Sequence, residues 1–417
     1  MAASEITLEA VPSVSDVPAA EWDACANPQA DADSLANLDT LAFPHMAADD
    51  PRAGSKPGYN PFVSHAFFAA VEASGSACAR TGWGPRHLLA RLDGAIAGIV
   101  PCYLKSHSQG EYVFDRGWAD AYQRAGGRYY PKLQVSVPFT PATGPRLLIR
   151  PGIEQGRIAD ALAGGLIALC NATSASSVHV TFAREAEAKF LGEQGFLLRN
   201  DQQFHWRNDG HTNFDDFLAT LNSRHRKAIK RERREALSPG ITIHWLTGND
   251  ITEDAWDAFF EFYMDTGSRK WGRPYLTREF FSLVGESMSR DVLLVMAKRN
   301  GRWIAGAINF IGGDALFGRH WGAIEQHPFL HFEVCYYQAI EFAIERSLKT
   351  VEAGAQGEHK LARGYLPQTT YSAHYIADTG LRRAIADYLK REREYVAEAA
   401  RELADAAPFR KDGDEAS

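Results

Sequence analysis

One order of elements, run twice, limits this chain more than any other feature. HLLARLDGAIAGIVPCYLK, from His87, reads as a strand, a turn at Asp93-Gly94 and a second strand, because β-formers flank a dipeptide that accepts positive φ. A Tyr- and Gly-rich insertion at 111–131 follows. Then come a strand in VPFTPATGPRLLI, an apolar helix in RIADALAGGLIALCNAT, a buried strand in SVHVTF, a short helix and the strand FLLRNDQQFHWRN. Past Asn208 the series nearly repeats. The helices AWDAFFEFYMDTG and TREFFSLVGESM lead into DVLLVMAKRNGRWIAGAINFIGGDALFGRHWGA, which reads as three antiparallel strands turning at Asn300-Gly301 and Gly312-Gly313. The helix FEVCYYQAIEFAIERSL, the strand TVEAG, a polar loop, the strand TTYSAHYI and a long charged helix from about Gly380 complete it. Little residue identity links the halves, so the repeat is one of order. Such a series folds as α/β with mixed sheets, in two similar domains.

Length agrees, since 417 residues exceed what one core comfortably holds. The expected parts are an irregular N-terminal segment (1–60), a first domain (61–209), a basic connecting helix (210–239) and a second domain with the C-terminal helix (240–417). The hydrophobic fraction of 45% and charged fraction of 23% fit a globular chain. A net charge of −7 argues against wholesale coating of DNA or an anionic membrane, while leaving room for a local basic site. The five cysteines are scattered, with no CxxC spacing, and read as buried small hydrophobes in a reducing compartment. MAASEITLEA has neither a basic nor an apolar leader region, and no apolar run approaches spanning length. The expected location is the cytoplasm.

Charge is concentrated in SRHRKAIKRERREA, Ser223 to Ala236, where seven cations less two acids give +5. On a helix Arg224, Lys227, Arg231 and Arg234 share one face, a surface able to hold phosphates or an anionic lipid; the plain alternative is a solvated strut between domains. SRKWGRPYLTREFF mixes Arg269, Lys270 and Arg273 with Trp271 and Tyr275. It reads either as a substrate-facing wall or as a helix connection in which Thr277 caps the next helix and Glu279 occupies its first turn. YQRAGGRYYPKLQ, Tyr122 to Gln134, reads as a lid. His320, His327, His331 and Glu333 match no metal-ligand spacing, and Pro328 interrupts a shared face between His327 and His331. No metal site is expected. Nor is there a GxSxG elbow, a Walker loop or a strand-linked GxGxxG.

The most unusual stretch is EAGAQGEHKLARGYLP, Glu352 to Pro367, where small residues precede Glu358, His359, Lys360 and Arg363, with Tyr365 just beyond. Together with RAGGRYYPKLQVSVPFTPATGPRLL and RKWGRPYLTREFF, it resembles the FemAB-like family labelled peptidoglycan biosynthesis/recognition. The order of elements resembles tandem GNAT acyltransferase domains bridged by a basic helix. That resemblance implies N-acyl transfer to a small-molecule or lipid-linked amine, with acyl-CoA as co-substrate and no cofactor held. FemAB-type transfer from aminoacyl-tRNA, or glycan or lipid recognition without catalysis, are the alternatives, and peripheral membrane contact is compatible with each. In such proteins a Phe-Lys pair stands where this chain has His359-Lys360, so Lys360 is carried over and His359 departs from the pattern. The usual pyrophosphate loop is replaced by AIEQHPFLHFE.

The implied site then takes Glu358 or His359 as base and Lys360 as electrostatic partner of the developing oxyanion. Arg224, Lys227, Arg231 and Arg363 would hold donor phosphate, and Arg269, Lys270, Trp271, Tyr275 and Tyr365 would face the acceptor. The bland reading of the loop is local ion pairing with a packed histidine. The cleft is expected in the second half, because the first shows no comparable polar cluster.

Overall fold

The computed structural model describes residues 4–28, 58–152, 154–238, 240–270, 274–354 and 357–410. They fall into two compact units, one drawn from Met1–Leu35, Phe62–Asp201 and Thr369–Glu398, the other from Ala36–Pro61, Gln202–Gln368 and Ala399–Ser417.

In the first unit the order is β1 (Ile6–Val11), α1 (Ala19–Ala26), α2 (His65–Ala73), β2 (Trp83–Pro85), β3 (His87–Leu92), β4 (Ala95–Val100) and β5 (Cys102–Lys105). Then follow α3 (Arg116–Arg124), β6 (Lys132–Val135), β7 (Leu148–Ile149), α4 (Gln155–Ala172), β8 (Ser177–Ala183) and α5 (Glu185–Glu193). The expected hairpin forms, with Asp93 and Gly94 at φ 49 and 87. Two elements appear where an irregular segment was expected. Strand β1 pairs antiparallel with β3 from Ile6↔Leu92 to Val11↔His87. Helix α1 buries Trp22 completely and lets its indole donate to Val63 O at 2.8 Å. Strand β1 is mostly solvated, with only Val11 of its six residues buried.

The sheet built on β2, β5, β6 and β8 has two unlike faces. Cys102, Leu133, Val135, Val178 and Val180 pack on Ile158, Leu162 and Leu166 of α4. The opposite face carries Tyr103, Lys105, Lys132, Gln134 and His179, each at most 2% exposed. This corrects one expectation, since the first half does hold a polar cluster, and it places Lys132, Leu133 and Gln134, the end of the expected lid, in the buried sheet. Lys132 lies in an interior strand, its ammonium 2.6 Å from Glu111 and in contact with Asp115. Tyr129, fully buried, donates to Asp115 at 2.7 Å. Lys105 sits 3.7 Å from Glu111 and 3.6 Å over the Trp83 ring. Buried charges persist only when paired in this way.

Strand β9 (Leu197–Arg207) leads into the second unit, followed by α6 (Phe214–Thr220), α7 (Ser223–Leu237), β10 (Ile241–Thr247), α8 (Glu253–Lys270), α9 (Arg278–Met288), β11 (Val292–Arg299), β12 (Arg302–Ile311) and β13 (Ala315–Ala323). Helix α10 runs through Leu330–Phe332, a π-turn Glu333–Tyr337 and Gln338–Glu345. Strand β14 (Thr350–Glu352), a 3-10 turn (Glu358–Arg363), β15 (Leu366–Ile376) and α11 (Thr379–Asp405) finish the chain. The three-strand meander forms as expected, and β10 adds a strand to its edge from Ile241↔Arg299 to Thr247↔Leu293. Thr277 caps α9 by accepting from Phe280 N at 3.3 Å, with Glu279 in the first turn.

The last strand of each series is exchanged. β9 follows α5 but pairs with β14, Glu352 facing His205. β15 follows the second unit's turn but pairs with β8, His374 facing His179, and adds His374 to the polar face. The Nδ1 atoms of His179 and His374 lie 2.7 Å apart, so one donates to the other. Residues 369–398 therefore belong with the first unit, whereas the sequence expectation put them in the second.

Candidate functional site

Strands β13 and β14 run parallel for three residue pairs only, Ala315↔Thr350 to Phe317↔Glu352. Beyond Phe317, β13 continues to Ala323 alongside β12, while the chain after Glu352 turns away at Gly354 (φ 78). Alternation sorts the side chains: Leu316, Val351 and Trp206 enter the core, so Glu352 and His205 point to the other face. Gly357 (φ 116) and Gly364 (φ 85) bracket the 3-10 turn. A Cβ on Gly357 would come within 2.5 Å of the His359 ring, and one on Gly364 within 2.8 Å of Phe217. Neither turn end tolerates another residue without movement.

This corner gathers Lys360, His205, Glu352 and Arg319. Lys360 is 2% exposed, and its ammonium donates to Gly354 O at 3.0 Å. Among the described residues no carboxylate lies within ion-pairing distance of it. Burial, then the nearby Arg319 guanidinium, push its pKa down to about 8. The same environment, with burial first and Arg207, Arg319 and Lys360 adding, lowers His205 to about 3. His205 is thus neutral at physiological pH, 3.9 Å from the Glu352 carboxylate and 3.3 Å from Gln203 Oε1. A lysine that exchanges its proton near neutrality, with a neutral imidazole in its surroundings and a carboxylate 3.9 Å from that imidazole, has the means to move protons and to meet a developing negative charge.

The other residues of the turn have different fates. His359 is exposed, with Nε2 2.9 Å from the Tyr336 hydroxyl, and its ring lies 5.6 Å from Phe332. Arg363, expected at donor phosphate, instead makes a double contact with Glu232 at 2.9 and 3.0 Å, and Phe332 covers its guanidinium at 3.5 Å. Its Nη1 donates to His359 O at 2.7 Å, so Arg363 ties the turn to α7. Tyr365, expected to face the acceptor, is fully buried and donates to Tyr336 O at 3.2 Å. The side chains of Glu358, Arg269 and Lys270, and the whole of Trp271, lie outside the described residues. Tyr275 is half-buried, its N–H donating to Tyr263 Oη at 3.1 Å.

Helix α7 has two arcs. Ile229, Glu232 and Ala236 are buried, and Arg233 reaches Glu333 at 2.9 Å and Glu341 at 2.7 Å. Glu232 also accepts from Tyr337 Oη. At 100° per residue, Arg224, Lys227 and Arg231 fall on the far side, exposed. The structure does not bring them to Lys360.

Among the described residues no group of three or more metal-ligating side chains converges. Of the histidines considered in the sequence, His327 pairs with Glu325 at 2.8 Å, and Glu333 is fully buried against Arg233. Glu325 also receives Arg299 at 3.2 Å. Sequence reasoning missed His205, Glu352, Arg319 and Glu232. One carried a signal: Glu232 is an acid inside a run of cations.

A model of the FemAB-like family, described as peptidoglycan biosynthesis/recognition, matches residues 13–411. No curated protein matches the chain. Solved structures with a similar fold include FemX, at 13% identity over 74% of this chain and 92% of that one, with a TM-score of 0.47. A tandem GNAT protein from the clavulanic acid biosynthesis pathway shares 13% identity over 90% and 99%, TM-score 0.46. L-PGS from Bacillus licheniformis shares 8% over 75% and 92%, TM-score 0.47. Among the described residues no helix is long and apolar enough to cross a membrane.

Proposed function

We propose, from the premise that this chain belongs to the FemAB-like family, that it is an N-acyltransferase. It moves an acyl group from an acyl thioester, acyl-CoA, to the amine of a cell-envelope or lipid precursor, a long-chain amine of the ceramide-precursor kind being one such acceptor. The observation that carries this reading is Lys360: a buried ammonium with its pKa near 8, held by a backbone carbonyl where the parallel strands part.

The amine attacks the thioester carbonyl, forming the N–C bond and pushing charge onto the carbonyl oxygen. Lys360, in its protonated form, donates to that oxygen, and a site shielded from water makes the contact count for more. The intermediate collapses by breaking the C–S bond, and the departing thiolate takes a proton. The amine must lose one. Glu352, with neutral His205 on the neighbouring strand, supplies a carboxylate for that step. Glu358 remains a second base candidate from the sequence, two residues before Lys360.

The test is thiol release and amide formation, followed by mass spectrometry, with acyl-CoA of several chain lengths and a panel of primary amines. Lys360→Met should abolish amide formation while acceptor binding persists. Amide formation from charged tRNA without thiol release from acyl-CoA would move the donor to the aminoacyl class. Binding of an amine with no product from either donor would refute transfer altogether.

A further inference from the structure

The outer arc of α7 carries charge that the proposed reaction does not use. Arg224, Lys227, Lys230, Arg231 and Arg234 are all exposed. Counting 100° per residue, they fill an arc of about 120° centred opposite Ile229, Glu232 and Ala236. From Arg224 to Arg234 the row extends about 15 Å. Among the described residues its acidic partners are exposed: Asp215 of α6 at 3.0 Å from Lys230, and Glu235 at 3.8 Å from Arg231. Exposed pairs of that kind neutralise little. The buried side of the helix is held at Glu232, by Arg363 and Tyr337, and at the adjacent Arg233, by Glu333 and Glu341. The five cations therefore project from a braced helix, and the helix's own diameter of about 10 Å separates them from the turn that carries Lys360.

We infer that this arc is a docking surface for an anionic lipid bilayer. Four to eight Lys/Arg along one side of a helix suffice for attraction to acidic headgroups, and a one-sided row suits a plane. An RNA partner is disfavoured by composition, since the arc offers no aromatic side chain on which a base can stack. Docking here has a route to the reactive corner. Arg363, held by Glu232 of the same helix, donates to His359 O within the turn that contains Lys360. The surface thus lies one ion pair away from the turn, although the docking proposal stands on the exposed arc and not on the acyltransferase reading.

The experiment is co-sedimentation of the full chain with phosphatidylcholine vesicles, with and without phosphatidylglycerol, across a salt series. Binding is expected only to the phosphatidylglycerol-containing vesicles, fading as salt rises. Arg224→Glu/Lys227→Glu/Arg231→Glu should weaken it about a hundredfold while leaving the circular-dichroism melt in place. Arg383→Glu/Lys390→Glu/Arg391→Glu, reversing three exposed cations on α11, should leave it unchanged. Equal loss in both triple variants, or no preference for phosphatidylglycerol, overturns the assignment. So does binding of bulk tRNA that depends on the α7 cations when vesicle binding does not.

Discussion

Replacing Lys360 by Met should make the protein more stable at neutral pH while removing its activity. An exposed lysine titrates near 10.5, but burial and Arg319 bring Lys360 to about 8 in the folded chain. A lysine whose pKa falls on folding is penalised wherever the unfolded chain keeps the proton more readily. The full penalty is present below pH 8, shrinks between 8 and 10.5, and is gone above. The fall from 10.5 to about 8 corresponds to roughly 3 kcal/mol. Against this, Met cannot donate to Gly354 O, and stranding that acceptor costs about 1 kcal/mol. Desolvation is the larger effect, leaving a gain of about 2 kcal/mol at pH 7. Urea melts of wild type and Lys360→Met between pH 7 and pH 11, monitored by tryptophan fluorescence, read this directly. The gain should be largest at pH 7 and reverse to a small loss near pH 11, where only the missing hydrogen bond remains. A variant that is less stable at pH 7, or a gain that does not change with pH, would falsify the account of Lys360 as a cation penalised by burial. Functional groups held against their solvation preference commonly show this trade of stability for activity.

Three further outcomes follow from the same geometry. Arg363→Met should destabilise by about 3–5 kcal/mol, because it strands Glu232, and adding Glu232→Gln should restore much of that; a double variant no better than the single one in a denaturant melt refutes the pairing. Stability should fall as pH drops from 6.5 towards 3, because His205 and His179, both lowered to about 3 by burial, stay neutral in the fold while the unfolded chain takes up protons. His179→Phe should flatten that slope in acid melts, and an unaltered slope counts against it. Glu352→Gln should lower kcat with little change in KM for the amine, whereas an unchanged pH–rate profile would assign proton removal to another group.

The alternation of β-formers around Asp93-Gly94 and Asn300-Gly301 suffices to specify both hairpins, because turn chemistry and strand pattern act within a dozen residues. The helix at Ser223–Leu237, the cap at Thr277 and the unusual turn around Lys360 are local in the same sense. The partners of these residues are not. Lys105, Glu111, Asp115, Lys132, His179 and His374 are dispersed along the chain and meet only because β5, β6, β8 and β15 lie side by side. His205 reaches Glu352 only because β9 leaves its own series to pair with β14. The same limit hid the fate of Arg363, whose cationic charge was legible but whose buried acid, Glu232, sits 131 residues away. Sequence sets which charges exist and which short segments turn or extend. Desolvation is what turns Lys360 into a group that exchanges protons near neutrality, and it depends on everything packed around the side chain, which only the tertiary fold decides.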